Sequence, residues 1–207
     1  MYVYWLGEMR RTAPEAEATR TALRDAALDV FAKRGYSAAR LEEIAAHAGV
    51  TRGALYHHFA DKAEIYLAVI GEAWWGVTEP IFEALDGEGP PLERLERFLV
   101  AYLTALRSDP RFRALLSITL KTETLPELEP GLAEKERALA DWLDQIEMVL
   151  AEAADRGELR PGVRVKDAAR VVVCFVNGIT TTATVAPDLL GRRPRPLAQT
   201  FLAGISG

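Results

Sequence analysis

Apolar residues recur along most of this chain every three to four positions, the spacing that places side chains on one face of an α-helix. The first apolar face consists of Leu23, Ala27, Val30 and Phe31, and the second of Leu41, Ile44, Ala45 and Ala48. Gly35 and Gly49 follow these faces, and both are expected to end a helix because glycine adopts positive φ at little cost. Thr51 precedes a third, very short helix over residues 52–58 and is expected to cap its first turn.

The helical pattern continues to the end of the chain. Asp61 is expected to cap a long fourth helix that begins near Lys62 and runs toward Leu85, with a bend at Pro80. Further helices are predicted after Pro91, from near Pro110, over residues 139–153, over residues 167–186 and at the C terminus. No alternation of β-branched and polar residues interrupts them, so the pattern predicts an all-α fold.

One segment is ambiguous between helix and strand. The run VVVCFV at residues 171–176 is β-branched, as a buried strand would be. We predict a helix because the run lies inside a longer apolar segment and has no strand partner. A helix that is apolar on all sides must be buried on all sides, which predicts packing against its own domain and against a second subunit. Cys174 is therefore expected to be buried and inert.

Composition and charge limit the class of protein. The 207-residue chain has one cysteine, so it forms no intramolecular disulfide, and nothing in it suggests a membrane-spanning run. We expect a cytoplasmic protein without membrane association. Residues 1–62 carry nine Lys and Arg against eight Asp and Glu, whereas the remainder carries 16 against 22. A near-neutral head on an acidic body indicates two separate tasks.

These features predict three parts: a flexible N-terminal arm over residues 1–16, a three-helix head over 17–64 and a helical body over 65–207. Met9 offers a second possible start within the arm. The head has the pattern of a helix-turn-helix, because the small side chains of Ala45 and Ala48 allow close packing of the third helix on the second. Val50, Leu55 and Phe59 are spaced to face inward. The residues left facing outward on the third helix are Arg52, Gly53, Tyr56 and His57.

The outward residues have the chemistry of a DNA-reading surface. A major groove admits one helix, and Arg52 in its first turn can donate two hydrogen bonds to a guanine. Gly53 lets the backbone come close to DNA, and Tyr56 and His58 can donate to phosphates. Lys62 lies at the N terminus of the fourth helix, where backbone N–H groups also favour a phosphate.

The segment ALDVFAKRGYSAARLEEIAAHAGVTRGALYHHFADKAEIYLAVI, at residues 27–70, resembles the TetR family of transcriptional regulators. The residues that carry the resemblance are Phe31, Gly35, Tyr36, Leu41, Ile44, Ala45, Ala48, Gly49, Val50, Thr51, Gly53, Leu55, Tyr56, His58, Phe59, Asp61 and Lys62. The layout of the body is similar to the efflux-repressor branch typified by AcrR. The resemblance implies a homodimer that binds a near-palindromic double-stranded operator, with a C-terminal domain that dimerises and binds a DNA-releasing ligand.

The resemblance also assigns roles within the head. Thr51, Tyr56, His58 and Lys62 correspond to phosphate-contacting positions, and Arg52, Gly53 and His57 to variable base-facing positions. Arg40, which precedes the second helix, completes the set. The residues predicted to contact DNA are thus Arg40, Thr51, Arg52, Gly53, Tyr56, His57, His58 and Lys62.

The body is rich in aromatic residues, which by default form a core. Together with polar residues on otherwise apolar faces, they fit a cavity for an apolar or aromatic effector. The residues predicted to line it are Trp75, Phe82, Phe98, Tyr102, Arg107, Phe112, Trp142, Phe175, Asn177 and Thr181.

Metal binding and catalysis are not favoured. His57 and His58 are adjacent, so on a helix their side chains point about 100° apart, whereas metal-binding helices carry His at i and i+4. His47 is expected to be solvated on the second helix, and no nucleophile lies in a recognisable catalytic motif. We therefore expect no enzyme activity, no metal and no cofactor.

Three interpretations remain open on the sequence. The favoured one is a ligand-responsive repressor. The second is a DNA-binding regulator of the same fold that acts without a small-molecule effector, as an activator or under a protein partner. The third is a helical enzyme or interaction module. The sequence identifies neither the effector nor the operator.

Overall fold

The structure, a computed structural model, describes residues 13–120, 126–191 and 193–207, without the side chains of 72–77, 120, 131, 132, 134 and 187. The helices are α1 (Ala13–Ala38), α2 (Leu41–His47), α3 (Arg52–His58), α4 (Lys62–Asp86), α5 (Pro91–Ser108), α6 (Pro110–Leu120), α7 (Glu129–Asp155), α8 (Val165–Val185) and α9 (Pro194–Leu202). Two short 3-10 helices cover Pro126–Leu128 and Pro187–Leu190. Within the described residues, β pairing is limited to an isolated bridge between Leu159 and Ser206. The predicted all-α fold is confirmed.

The chain divides into two compact units, Met1–Val69 and Ile70–Gly207, and the division falls inside α4. The sequence had suggested a boundary after residue 64. Helix α1 begins at Ala13, so residues 13–16, expected to belong to a flexible arm, are helical. The rest of that arm, residues 1–12 with both candidate start methionines, lies outside the described residues.

The N-terminal unit is built around a small core. Fully buried side chains come from all four of its helices and from Phe59 at the end of α3; they include Leu23, Phe31, Ile44, Leu55, Phe59 and Ile65. The ring of Phe31 lies 5.0 Å from that of Tyr66, which in turn lies 5.0 Å from Tyr36. Gly35, with φ of 76°, interrupts α1 as expected, and the chain then resumes helical structure to Ala38.

The C-terminal unit packs its helices around α5. Seven α5 residues are buried: Pro91, Leu95, Phe98, Leu99, Tyr102, Leu103 and Leu106. The apolar stripe predicted for α7 contributes Ile146, Val149, Leu150 and Ala153 to the same core. The loop expected over TLPELEPG is shorter than predicted, because Pro126–Leu128 forms a 3-10 helix and α7 begins at Glu129.

Helix α8 confirms the helical prediction for residues 171–176, but only one of its faces is buried by its own chain. Val171 and Val185 are 51% and 82% exposed. The prediction that Cys174 is buried is wrong for this chain, because Cys174 lies on that same outward face. α8 is also long and apolar enough to cross a membrane by length and composition, contrary to expectation. A core helix of a globular domain has the same composition, and the buried face of α8 belongs to the core of this unit.

Candidate functional site

Helices α2 and α3 form a compact helix-turn-helix. Gly49 adopts φ of 68°, a conformation that favours glycine, at the point where the chain reverses. The turn is closed by hydrogen bonds from the Gly49 N–H to the Ala46 carbonyl at 3.1 Å and from the Val50 N–H to the Ala45 carbonyl at 3.0 Å. Leu55 on the inner face of α3 is fully buried. The opposite face of α3 is thereby held toward solvent.

Two residues in the first turn of α3 have accessible backbone or hydroxyl groups. The Thr51 hydroxyl accepts a hydrogen bond from the Ala54 N–H at 3.2 Å and can still donate its own proton outward. Gly53 is exposed, and a Cβ at this position would meet only the Thr51 Oγ1, at 3.9 Å. Glycine inside a helix costs about 1 kcal/mol relative to alanine, and no contact among the described residues requires it here. The open backbone at Gly53 therefore suits a close approach by another molecule.

Arg52 and Tyr56 lie together on the exposed face of α3. Tyr56 is 43% exposed, and its hydroxyl accepts a hydrogen bond from Arg52 Nη2 at 3.4 Å. The guanidinium lies over the Tyr56 ring, 5.4 Å from its centroid, and Arg52 Nη1 is 2.9 Å from Glu42 Oε1. The hydrogen bond with Tyr56 and the charge of Glu42 raise the pKa of Arg52 above its ordinary value. A fixed cation stands at the start of α3.

The two adjacent histidines occupy different environments. His57 is exposed, whereas His58 is half-buried and its carbonyl accepts a hydrogen bond from Arg20 Nη1 at 3.3 Å. Their rings lie edge to face with centroids 5.6 Å apart. Sequence reasoning also placed His47 in solvent; it is exposed and lies 3.2 Å from an Asp29 carboxylate oxygen.

Lys62 has a structural partner that the sequence did not indicate. Its Nζ donates to the carbonyls of Ser37 and Ala39, at 3.3 Å each, and lies 4.5 Å from the centroid of the Tyr36 ring. An ammonium has three donors, so one remains for a phosphate. The side chain thus ties the start of α4 to the end of α1.

The N terminus of α4 is already capped by carboxylates. Asp61 Oδ1 accepts from the Glu64 N–H at 2.8 Å, and Glu64 Oε2 accepts from the Ala60 N–H at 2.6 Å. The expected cap by Asp61 is present. Its negative charge, together with that of Glu64, opposes the phosphate that we expected this helix end to attract.

Arg40 lies at the N-cap position of α2. Its side chain is exposed, and its carbonyl accepts hydrogen bonds from the N–H groups of Glu43 and Ile44 at 3.1 and 3.2 Å.

Of the predicted DNA-contacting residues, Arg52 and Tyr56 are joined directly to each other, Thr51 and Gly53 share their turn, and Lys62 is held mainly by α1. Sequence reasoning missed Glu42, because its pairing with Arg52 spans the turn between two helices.

The structure brings five of the residues predicted to line an effector pocket into one aromatic cluster in the C-terminal unit. The cluster consists of Phe82, Phe98, Tyr102, Phe112 and Trp142. The Phe82 and Trp142 centroids are 4.7 Å apart, and those of Tyr102 and Phe112 are 5.2 Å apart. The Tyr102 hydroxyl of this cluster is hydrogen-bonded to the buried hydroxyl of Thr180 on α8, with 2.5 Å between their oxygens.

The other predicted pocket residues lie elsewhere. Arg107 is exposed on α5, and Asn177 and Thr181 are exposed on α8, where each bonds to a carbonyl of its own helix. Phe175 stacks on Phe201 with ring centroids 4.0 Å apart, outside the aromatic cluster. The Trp75 side chain lies outside the described residues.

Two segments of the chain match models of known protein families. Residues 23–69 match the family model described as bacterial regulatory proteins, tetR family. Residues 91–206 match the model described as the C-terminal region of BetI-type transcriptional repressors. The first match includes α2 and α3, and the second includes α5 to α9.

Similar proteins include two named repressors or regulators. The chain is 37% identical over 172 residues to the HTH-type transcriptional repressor BepR of Brucella suis biovar 1 (strain 1330). The alignment covers 82% of this chain and 82% of BepR. It is 30% identical over 186 residues to the HTH-type transcriptional regulator AcrR of Shigella flexneri, covering 86% of this chain and 84% of AcrR.

Solved structures of SmeT have the same fold. SmeT in complex with triclosan superimposes with a TM-score of 0.77 at 31% identity, covering 92% of each chain. A second structure, of SmeT as the repressor of the Stenotrophomonas maltophilia multidrug efflux pump SmeDEF, gives 0.75 at 30% identity, covering 93% of this chain and 92% of SmeT.

Proposed function

This chain belongs to the TetR family of bacterial transcriptional regulators, and on that premise we propose that it is a cytoplasmic repressor that binds a near-palindromic operator as a homodimer. A small, largely apolar effector releases it from the operator. The observation that carries the DNA-binding part is the exposed face of α3. There Arg52 and Tyr56 lie beside Gly53, a glycine that no contact in the described part of the chain requires.

The outward face of α8 supports the homodimer. Five of its exposed residues recur at helical spacing and are small or apolar: Val171, Cys174, Gly178, Thr181 and Val185, with Arg170, Asn177 and Thr184 exposed beside them. A Cβ at Gly178 would meet nothing within 4 Å among the described residues, so the helix surface is open for close packing. Apolar surface of this kind is stabilised when a second copy covers it. We assign that role to α8 of a partner subunit.

The aromatic cluster around Tyr102 supports an apolar effector. Aromatic side chains with a few polar groups are the common lining of small-molecule sites, and the Tyr102–Thr180 pair supplies the polar part. SmeT, a similar protein, has a solved structure in complex with triclosan, a small aromatic compound. We therefore restrict the proposed site to the cluster and leave out the exposed Arg107, Asn177 and Thr181.

The release mechanism rests on α4, which is one continuous helix from Lys62 to Asp86 and contributes residues to both units. We propose that the dimer places its two α3 helices in successive major grooves, about 34–36 Å apart. An effector that binds better to a form with a wider spacing shifts the population away from DNA.

Selection of bound sequences from random double-stranded DNA tests the operator claim. We expect enrichment of one near-palindromic site, with loss of preference at one base pair per half-site in Arg52→Ala. Tyr56→Phe removes a phosphate donor and is expected to weaken binding both to the selected and to scrambled DNA. Arg193→Ala, a change of an exposed cation in the C-terminal unit, is the control and leaves both unchanged. Failure of the wild type to enrich any sequence would refute operator binding.

Titration with triclosan and with straight-chain fatty acids tests the effector claim. We expect at least one apolar compound to raise the melting temperature and to weaken operator binding, and Phe98→Ala to abolish both effects. If no apolar compound acts on operator binding, the chain is a regulator of the same fold without a small-molecule effector.

A further inference from the structure

The carboxylate of Glu42 lies on the surface that we assign to DNA. Glu42 belongs to the first turn of α2, and its side chain is 54% exposed. DNA phosphates repel a carboxylate at such a position, so its presence calls for an explanation. The explanation lies in its neighbour, because Glu42 Oε1 is 2.9 Å from Arg52 Nη1.

We propose that Glu42 is a positioning residue that orients the Arg52 guanidinium for recognition of one base pair of the operator. The inference rests on the proposed operator binding and deepens it, because it assigns specificity to a side chain on the first helix of the helix-turn-helix.

The guanidinium is held from two sides. Glu42 on α2 engages Nη1, while the Tyr56 hydroxyl on α3 accepts from Nη2 at 3.4 Å. The guanidinium carbon of Arg52 also lies over the Tyr56 ring, 5.4 Å from the ring centroid. A side chain that these contacts hold samples fewer rotamers before DNA arrives, so less conformational entropy is lost on binding.

The held guanidinium keeps enough donors to read a base. Arginine has five N–H donors; the hydrogen bond with Tyr56 occupies one of them, and Nη1 forms an ion pair with Glu42. Even with the Nη1 proton nearest Glu42 set aside, three donors remain, and a bidentate contact with guanine O6 and N7 uses two. The contact with Glu42 therefore leaves donors for base recognition. It also sets the orientation of the unoccupied edge of the Arg52 guanidinium.

A contribution to folding stability does not explain the ion pair between Arg52 and Glu42. Arg52 is 62% exposed, and exposed ion pairs contribute little to folding because water and salt screen both charges. The pKa of Arg52 is raised chiefly by its hydrogen bond with Tyr56 and then by the charge of Glu42, so the cation is retained at any physiological pH. We therefore assign the pair a role in DNA binding.

The test is Glu42→Gln, which keeps the shape of the side chain and removes its charge. The matched control is Glu43→Gln, which removes the same charge one residue along α2, where Glu43 pairs with Arg34 at 3.2 Å. Operator affinity is measured for the wild type, both variants, Arg52→Ala and the Glu42→Gln/Arg52→Ala double variant. Each is titrated against the selected operator and against every single-base-pair substitution of one half-site.

Glu43→Gln is expected to tighten binding to all DNAs by a common factor, because it removes one repulsive charge. Glu42→Gln should show that common factor and, in addition, about a 5-fold loss of discrimination at the base pair that Arg52→Ala affects. In the double variant Glu42→Gln should cause no further loss at that base pair. Melting temperatures report that each variant folds.

Three outcomes overturn the inference while leaving operator binding intact. Glu42→Gln could match Glu43→Gln at every base pair, which makes Glu42 only a charge. It could lose discrimination at a base pair that Arg52→Ala does not affect, which makes Glu42 itself the reader. It could sharpen discrimination by Arg52, which makes Glu42 a competitor of DNA. If the wild type enriches no sequence at all, the proposed function fails, and the inference fails with it.

Discussion

Tyr102 of α5 donates a hydrogen bond to Thr180 of α8, with 2.5 Å between the two oxygens, in the buried interior of the C-terminal unit. The direction follows from the second bond of Thr180, whose single hydroxyl proton goes to the Val176 carbonyl at 2.7 Å. The pair joins two helices through an otherwise apolar, aromatic core. It is a buried polar element both of this unit and of the proposed effector site.

The two halves of this pair should differ in their importance for stability. Thr180→Val leaves the Tyr102 hydroxyl buried without its acceptor, which costs about 1–3 kcal/mol of unfolding free energy. Tyr102→Phe removes the donor but leaves Thr180 bonded to Val176, so we expect a smaller loss of about 0.5–1.5 kcal/mol. Urea denaturation monitored by circular dichroism measures both. Equal losses, or a larger loss for Tyr102→Phe, would contradict the assigned direction of the bond.

Alkaline pH should destabilise the protein through Tyr102. Burial raises the pKa of Tyr102 to about 12, whereas in the unfolded chain a tyrosine titrates near 10. Between these values the unfolded chain has lost the proton that the folded chain keeps, so the free energy of unfolding falls as pH rises. The stability that protonated Tyr102 confers is fully present below pH ~10 and is lost toward pH ~12. Over this range the free energy of unfolding falls with a slope that approaches about 1.4 kcal/mol per pH unit. Denaturation series at pH 9, 10 and 11 should show this slope in the wild type but not in Tyr102→Phe.

Arg94 should be the arginine of α5 that matters most for stability. It is 16% exposed, its Nε donates to the Leu85 carbonyl at 2.7 Å, and its Nη1 lies 2.6 Å from Glu152 Oε2. Arg94→Met keeps the aliphatic stem but removes both contacts. We expect a loss of about 2–3 kcal/mol because the Leu85 carbonyl and Glu152 Oε2 lose their donor, while Arg156 still pairs with Glu152 Oε1.

Arg97 on the same helix is the matched control for Arg94. It donates to the Glu88 carbonyl at 2.8 Å, but this contact is exposed. Arg97→Met is therefore expected to cost no more than about 0.5 kcal/mol. Similar melting temperatures for the two variants would show that the bond from Arg94 to the end of α4 contributes little.

Gly178→Leu should separate folding from dimer formation. A Cβ at this position meets nothing within 4 Å in the described part of the chain, so the monomer should still fold, and leucine favours a helix by close to 1 kcal/mol over glycine. If α8 packs closely against its counterpart, the added side chain should convert the dimer to a monomer in sedimentation-velocity experiments. Thr104→Leu, at an exposed position of α5, should leave the dimer intact. A dimeric Gly178→Leu protein would place the subunit contact on another surface.

Much of the helix-turn-helix could be predicted from the sequence because its determinants are local. The positive φ of Gly49 and the cap by Thr51 each depend on residues within a few positions, as does the inward spacing of Leu55 and Phe59. The start of α5 at Pro91 and of α6 at Pro110 follows for the same reason. The roles of these residues toward DNA remain predictions until operator binding is measured.

The sequence did not predict which side of an apolar segment would be covered. Cys174 was expected inside because all its neighbours are apolar, yet periodicity alone does not state how many elements pack around α8. Asn177 and Thr181 were placed with the aromatic residues for a similar reason, and in the structure they face outward on α8. Burial depends on partners distant in the chain, and these are not encoded in a local pattern.

The sequence by itself determined the all-α class, the helix-turn-helix and its resemblance to the TetR family, because helical periodicity, caps and turns are short-range properties. Only the tertiary structure decided that Lys62 bonds to the end of α1, that Tyr102 bonds to Thr180 and that Glu42 holds Arg52. Each of these contacts joins different helices, and its geometry is set by how those helices pack. Whether a side chain is free to meet DNA or is already engaged by a neighbour is therefore fixed at the level of the fold.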